Sequence, residues 1–273
     1  MKQITRILSA VLVVFTVISC SEVINDFEPI LSDDSILVAD TLVIEKSDSI
    51  LVDIEPKKCI YLTIDDSPLN GSVYIDSVVS KAKIKTNIFM VGNPIDGSGK
   101  FKKHYNMLKE NSYIEIYNHS YSHANNKYAT FYKSPESVLA DFEKNRTDFE
   151  ISHKIARLPG RNLWQVGEKT KNYKQSGATS AQMLVENGYK VFGWDVEWKY
   201  SAKDYSPEQT VDELIEEIET VYNKSRTFAK EHVVLLMHDQ MFAKKNDEND
   251  LEALIDKLKE RNFTFEYLTS YPE

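Results

Sequence analysis

Cysteine is nearly missing from this chain, with 2 in 273 residues, at Cys20 and Cys59. A disulfide framework is thereby excluded. Glycine (9) and proline (8) are also sparse, which excludes collagen-like and low-complexity chains. Positive charge is in deficit: 33 Lys and Arg stand against 42 Asp and Glu, a net charge of −9. No basic stripe interrupts that balance, so nucleic acid is not an expected partner. No apolar run reaches the roughly 20 residues that a membrane-spanning helix requires. What is present suits a globular protein: 27% charged and 42% hydrophobic residues, in a length that allows one large domain.

The first twenty residues read as a leader rather than as fold. Lys2 and Arg6 make a basic start, and Ile7 to Ile18 make an apolar stretch too short to span a bilayer. Val17-Ile18-Ser19-Cys20 resembles the lipobox of bacterial lipoproteins. That resemblance implies cleavage before Cys20, a lipid anchor on that cysteine, and a place in the bacterial cell envelope outside the cytoplasm. Removing Cys20 into the anchor leaves Cys59 without a partner. Residues 21–56 are dominated by acidic side chains, with Lys46 as the lone base, and read as a tether. The expected organisation is a signal peptide over 1–20, the tether over 21–56 and a catalytic domain over 57–273, as a monomer.

From residue 57 short β-like runs alternate with helical signals. The runs are Ile60–Ile64, Asn87–Val91, Tyr113–Tyr117, Ile155–Leu158, Lys190–Trp194, Val233–Met237 and Phe263–Tyr267. Ser134-Pro135-Glu136 predicts a capped helix start. Ser206-Pro207-Glu208-Gln209 predicts a capping box, followed by an apolar face of Val211, Leu214, Ile215, Ile218, Val221 and Tyr222. A last helix is predicted from about Asp247 to Arg261, with Leu251, Leu254, Ile255 and Leu258 inward. Such alternation argues for a parallel α/β sheet; the pattern fits a doubly wound sheet and an α/β barrel equally.

The strand ends carry the chemistry. Thr63-Ile64-Asp65-Asp66-Ser67-Pro68 places two adjacent carboxylates after an apolar strand, where like charges repel. Asn118-His119-Ser120-Tyr121-Ser122-His123 follows another strand, Arg157-Leu158-Pro159 a third, Trp194-Asp195-Val196-Glu197-Trp198 a fourth, and Leu236-Met237-His238-Asp239 a fifth. Carboxyl-terminal strand ends of parallel sheets share one face, where active sites lie. His119 and His123 have a spacing that places two imidazoles on one metal, and one of the paired aspartates supplies a third ligand. The other is free to accept a proton, and His238, from a separate strand, to donate one. His104, His153 and His232 read as packed or solvated residues.

In order and spacing these motifs resemble the polysaccharide deacetylases of carbohydrate esterase family four, the NodB-homology domain. The family's TFDDGP is matched by Thr63–Pro68, its H-[ST]-x-x-H by His119–His123, its Arg-x-Pro by Arg157–Pro159, and its L-x-H by Leu236–His238. The resemblance covers about residues 57–270. It implies a distorted (β/α)7 barrel and a divalent metal, usually zinc, held by Asp66, His119 and His123. It further implies Asp65 as general base, His238 as general acid and Arg157 as partner of the base. Glu197, in preference to Asp195, is the acid expected to tune His238. Leu236 belongs to the acetyl-methyl pocket, and Pro159, Trp198 and Tyr121 are the other expected substrate contacts. The implied reaction is hydrolysis of an acetyl group from an N-acetylglucosamine-containing polysaccharide. The alternatives are an O-deacetylase of acetylated xylan-type glycans and a catalytically silent glycan-binding lipoprotein. Two departures stand out. Ser67 replaces a glycine and is expected to put a side chain where substrate approaches. Arg161 also stands where glycine is common, and is expected to narrow the cleft or favour an anionic glycan.

Overall fold

The structure is a computed structural model in which residues 57–172, 174, 176–244 and 250–273 are described. The expected leader (1–20), lipidated Cys20 and acidic tether (21–56) lie outside the described residues.

The strands in chain order are β1 (Lys58–Ser67), β2 (Thr86–Met90), β3 (Ile114–Asn118), β4 (Ile155–Ala156), β5 (Trp164–Val166), β6 (Lys169–Lys171), β7 (Lys190–Val191), β8 (Val196–Glu197), β9 (His232–His238) and β10 (Phe263–Phe265). The helices are α1 (Ser72–Ala82), α2 (Asn93–Gly97), α3 (Gly99–Glu110), α4 (Tyr128–Phe131), α5 (Pro135–Asp148), α6 (Ala178–Glu186), α7 (Val211–Asn223) and α8 (Leu251–Glu260). The parallel path runs β7-β4-β3-β2-β1-β9-β8. Its two ends, β7 and β8, are neighbours in sequence, so the sheet has to curl back on itself, giving a distorted α/β barrel rather than an open sheet. β5 and β6 add an antiparallel hairpin beyond β7. β10 pairs only the lower part of β1, leaving the upper part to β2.

Alternation along β1 separates two cores. Ile60, Leu62 and Ile64 face the helices, against Leu214, Ile215 and Ile218 of α7 and Leu254, Ile255 and Leu258 of α8. Cys59 and Tyr61 face the interior with Phe89, Tyr117, Trp164, Phe192 and Val234, a barrel filled by side chains rather than a pore. Asp65 keeps the parity of Cys59 and Tyr61, so the inward face of β1 ends in a carboxylate.

Two expectations shift. The strand predicted over Lys190–Trp194 breaks after Val191 because Arg157 takes its next carbonyls: Nε donates to Phe192 O (3.3 Å) and Nη2 to Gly193 O (2.7 Å). The capping box predicted at Ser206 forms instead at Thr210, whose hydroxyl accepts from Glu213 N while the Glu213 carboxylate accepts from Thr210 N. Pro207 is bridged antiparallel to Tyr200, and Gln209 uses its side chain on Lys199 N and Glu197 O. The segment before Thr210 is thus a loop closing on the strand ends.

Candidate metal centre and active-site cleft

Both aspartates reach the mouth of the barrel through a bulge inside β1. The register with β2 slips between Asp65 and Ser67, and Asp66 has φ 67°. The inserted residue cancels the alternation that would turn Asp66 outward. A left-handed non-glycine residue costs about 1 kcal/mol or more, a strain that persists here at the cleft.

Arg157 anchors the site from below. It is fully buried, and its Nη1 donates to Asp65 Oδ1 (2.8 Å) and to Thr63 Oγ1 (2.8 Å). Phe89 lies against the guanidinium, 4.3 Å from ring centroid to Cζ. Asp65, 3% exposed, is therefore held by an ion pair out of water. Its Oδ2 lies 3.5 Å from His119 Nε2.

His119 is oriented by its other nitrogen, with Nδ1 2.9 Å from Arg157 O. A carbonyl only accepts, so Nδ1 carries the proton and Nε2 presents a lone pair to the cleft. Burial, the largest influence, holds this ring below its ordinary pKa. His123 arrives by a left-handed turn, with φ 67° at Ser120 and 49° at His123 and the His123 N–H donating to Ser120 Oγ (3.0 Å). Asp66 Oδ1 lies 3.1 Å from His123 Nε2 and 3.6 Å from His119 Nε2. Burial opposes its charge, but His123, His119 and His238 hold the Asp66 carboxyl well below the ordinary carboxylate range.

These residues fit a divalent ion. One ligand atom each from Asp66, His119 and His123 lies within 4.8 Å of the others. Asp66 Oδ1 is buried and has no hydrogen-bond partner among the described residues, which for a carboxylate oxygen is costly unless a cation serves it. A mixed Asp/His/His donor set with room for a further ligand suits zinc.

His238 ends β9 on the same rung as Asp65. The two, with Asp66, His119, His123, Glu197 and Leu236, line one cavity of about 540 Å³. Glu197 makes no hydrogen bond to His238, whose buried Nδ1 has no partner among the described residues. Asp195 is directed elsewhere: it accepts Phe228 N (2.8 Å) and Val234 N (2.9 Å), and burial pushes its carboxyl up to about 6.

Several expected contacts fall outside the cavity. Trp198 is fully buried, donating Nε1–H to Gln209 O and packing edge-on against Phe242. Tyr121 donates to Asp96, with Lys144 3.7 Å from its ring centroid. Pro159 is buried, and its carbonyl accepts from Tyr132 Oη. Ser67 is fully buried with its hydroxyl on Asp239, so it adds nothing to the substrate face. Arg161 turns inward as well, its guanidinium donating to Ser176 O, Gly160 O and Ser176 Oγ beneath Tyr128 and Tyr132. Buried in this way and absent from the cavity lining, it is not presented to an anionic glycan. His104 and His232 are spent on Leu69 O and Tyr61 Oη.

Other lining residues are not expected at the site from the sequence: Tyr128, Gly160, Trp194, Lys199, Tyr200, Ala202 and Glu208. Tyr128 stands edge-on to His123 (5.8 Å, 82°). Gly160, at φ 64°, would place a Cβ 3.3 Å from the Tyr128 ring, so glycine makes room for that wall. Tyr200 meets His238 edge-on (4.9 Å, 61°) and stacks on Tyr205. Burial, then the charge of Asp66, pushes the Tyr200 hydroxyl up to about 12.

Comparison with known proteins gives a consistent answer. The profile of the polysaccharide deacetylase family matches residues 53–160. The chain is 25% identical over 209 residues to the chitin disaccharide deacetylase of Vibrio alginolyticus, covering 53% of this chain and 48% of that protein. It therefore spans about half the length of this curated relative. Among solved structures, the catalytic domain of the peptidoglycan N-acetylglucosamine deacetylase from Eubacterium rectale ATCC 33656 superposes with a TM-score of 0.55 at 21% identity, covering 80% of this chain and 92% of that one. BA3943 of Bacillus anthracis, a CE4 family pseudoenzyme, superposes with a TM-score of 0.54 at 18% identity, covering 78% and 64%. The fold is thus shared by enzymes and by a silent relative.

Proposed function

Starting from a chain that resembles the polysaccharide deacetylases in sequence and shares the CE4 fold, we propose that it is a metal-dependent hydrolase removing acetyl groups from an N-acetylglucosamine-containing polysaccharide. The observation that carries this reading is the convergence of Asp65, Asp66, His119, His123 and His238 on one cavity, with Arg157 bonded to Asp65. Asp66, His119 and His123 would hold the ion, a donor set that suits zinc. When bound, a divalent ion supplies Lewis acidity toward the acetyl carbonyl and toward water.

The chain's own groups do the rest. Asp65, fixed by Arg157, accepts a proton from the attacking water. The water oxygen bonds to the carbonyl carbon and the C–N bond breaks. His238 passes its proton to the departing amine, leaving acetate and a free amino sugar. Leu236, 2% exposed at the cavity wall, is the surface for the acetyl methyl. Asp65 and His238 share a rung of adjacent strands, which supports an acid and a base acting on one small group.

A lipid anchor at Cys20 in the cell envelope is part of the same proposal, supported by the basic and apolar leader. The test is acetate release from a panel of chitin oligomers, peptidoglycan and acetyl-xylan, alongside metal content. Release from the amides with about one equivalent of metal supports the reading. Release from acetyl-xylan alone makes the protein an O-deacetylase, and metal binding with no release makes it a glycan-binding relative.

A further inference from the structure

Asp239 follows His238 and is fully buried, yet among the described residues no Lys, Arg or His pairs with it. Its carboxyl instead takes a crowd of donors: Ser67 Oγ (2.9 Å), Ser72 Oγ (2.5 Å) and Leu69 N (3.1 Å) on Oδ2, and Gly71 N (2.7 Å) on Oδ1. All come from residues 67–72, the turn that begins one residue after Asp66. Gly71 approaches so closely that a Cβ there would lie 1.9 Å from the Asp239 carbonyl oxygen. The N-cap of α1, Gly71, offers no side-chain acceptor of its own, and Asp239 takes the N–H of that residue.

The register gives the arrangement a consequence for the site. Asp65 and His238 are paired across β1 and β9. Just past that rung, Ser67 at the end of β1 donates to Asp239, the residue that follows β9. Buried polar groups hold geometry tightly because every lost bond leaves an unserved group out of water.

We propose that Asp239 is a positioning residue that brackets the turn carrying Asp65 and Asp66 to the strand end carrying His238, fixing the separation of base, acid and metal ligand. This rests on the deacetylase reading of those three residues. It also accounts for Ser67 in place of a glycine: the hydroxyl is one arm of the bracket.

The test compares Asp239→Asn with the milder Ser67→Ala. For each, zinc affinity is measured by chelator competition, kcat and KM by acetate release, and unfolding by thermal denaturation, with kinetics run well below each Tm. Asp239→Asn is expected to weaken zinc binding about ten-fold and to lower kcat about ten- to a hundred-fold at saturating zinc, with KM within about two-fold, the scale of one or two strong hydrogen bonds lost from a preorganised site. Ser67→Ala should move the same readouts in the same direction by less. The double variant should lose less than the product of the single losses, because both act through one bond. Where Asp239→Asn does not fold, Ser67→Ala carries the test. If the variants unfold earlier but bind zinc and turn over as wild type, Asp239 is only a cap on α1 and the inference falls. If wild type binds zinc yet releases no acetate, the deacetylase reading falls, and zinc affinity alone decides the bracket.

Discussion

Asp65→Asn and Asp66→Asn exchange the same atoms at adjacent positions, yet their surroundings predict opposite outcomes. Judged by sequence, either change relieves the repulsion of two neighbouring carboxylates. The structure reverses that for Asp65, whose side chain is 4% exposed and bonded to an Arg157 that is 0% exposed. Removing one partner of a buried ion pair costs about 3–5 kcal/mol, because the other charge is stranded. The low end applies here, since Arg157 keeps Thr63 Oγ1, Phe192 O and Gly193 O. Among the described residues Asp66 has no Arg or Lys partner, only the imidazoles of His123 and His119, so its neutralisation should cost the metal-free protein less. The chemistry should split the other way. Asp65→Asn should keep about one equivalent of metal and lose about two to four orders of magnitude in turnover, the worth of a positioned base, or about 3–5 kcal/mol. Asp66→Asn should lose metal and activity together, because an amide is a poor ligand. The assay is elemental analysis and acetate release at matched folded fraction, with thermal denaturation in chelator. Equal metal loss in both variants, or a greater destabilisation by Asp66→Asn, would refute the division of labour.

Asp195, raised to about 6 chiefly by burial, binds its proton more tightly folded than unfolded, so its contribution to stability is full below about pH 4 and is lost as pH rises through about 6. The Tm of Asp195→Asn should therefore gain on wild type between pH 4 and 7; a constant difference would refute the assignment. Arg161→Ala should destabilise by about 2–4 kcal/mol through its lost buried hydrogen bonds and packing, without changing the ratio of rates on neutral and anionic glycans; a changed ratio would return Arg161 to the cleft. Tyr200→Phe keeps the edge contact with His238 and should hold kcat within a few-fold, whereas Tyr200→Ala should cost about ten-fold or more, as an orienting contact does; equal losses would make the hydroxyl the operative group. Cys20→Ala should release the protein from the membrane fraction or leave an unprocessed precursor, and unaltered partitioning of mature protein would end the lipoprotein proposal.

The parts legible in the sequence are those where side-chain type and period coincide. The inward faces of α7 and α8, and the arrival of Asp65, His119, Arg157 and His238 at one end of the sheet, follow from spacing. Glu197, Trp198 and Tyr121 sit in or beside the same motifs, yet one forms no bond to His238 and two are drawn away by Gln209 and Asp96. No motif reports such partners, because they are set by loops that meet only after folding. Ser67 and Arg161 make the point in energetic terms. Each looked, from its place in a motif, like a group added to the substrate face, and each is buried and hydrogen-bonded away from the cavity. A hydroxyl or guanidinium beside a cleft goes wherever unserved carboxylates and carbonyls outbid water. Here those acceptors, Asp239 and Ser176 among them, do not line the cavity, so both departures from the family pattern pack into the scaffold rather than into the cleft.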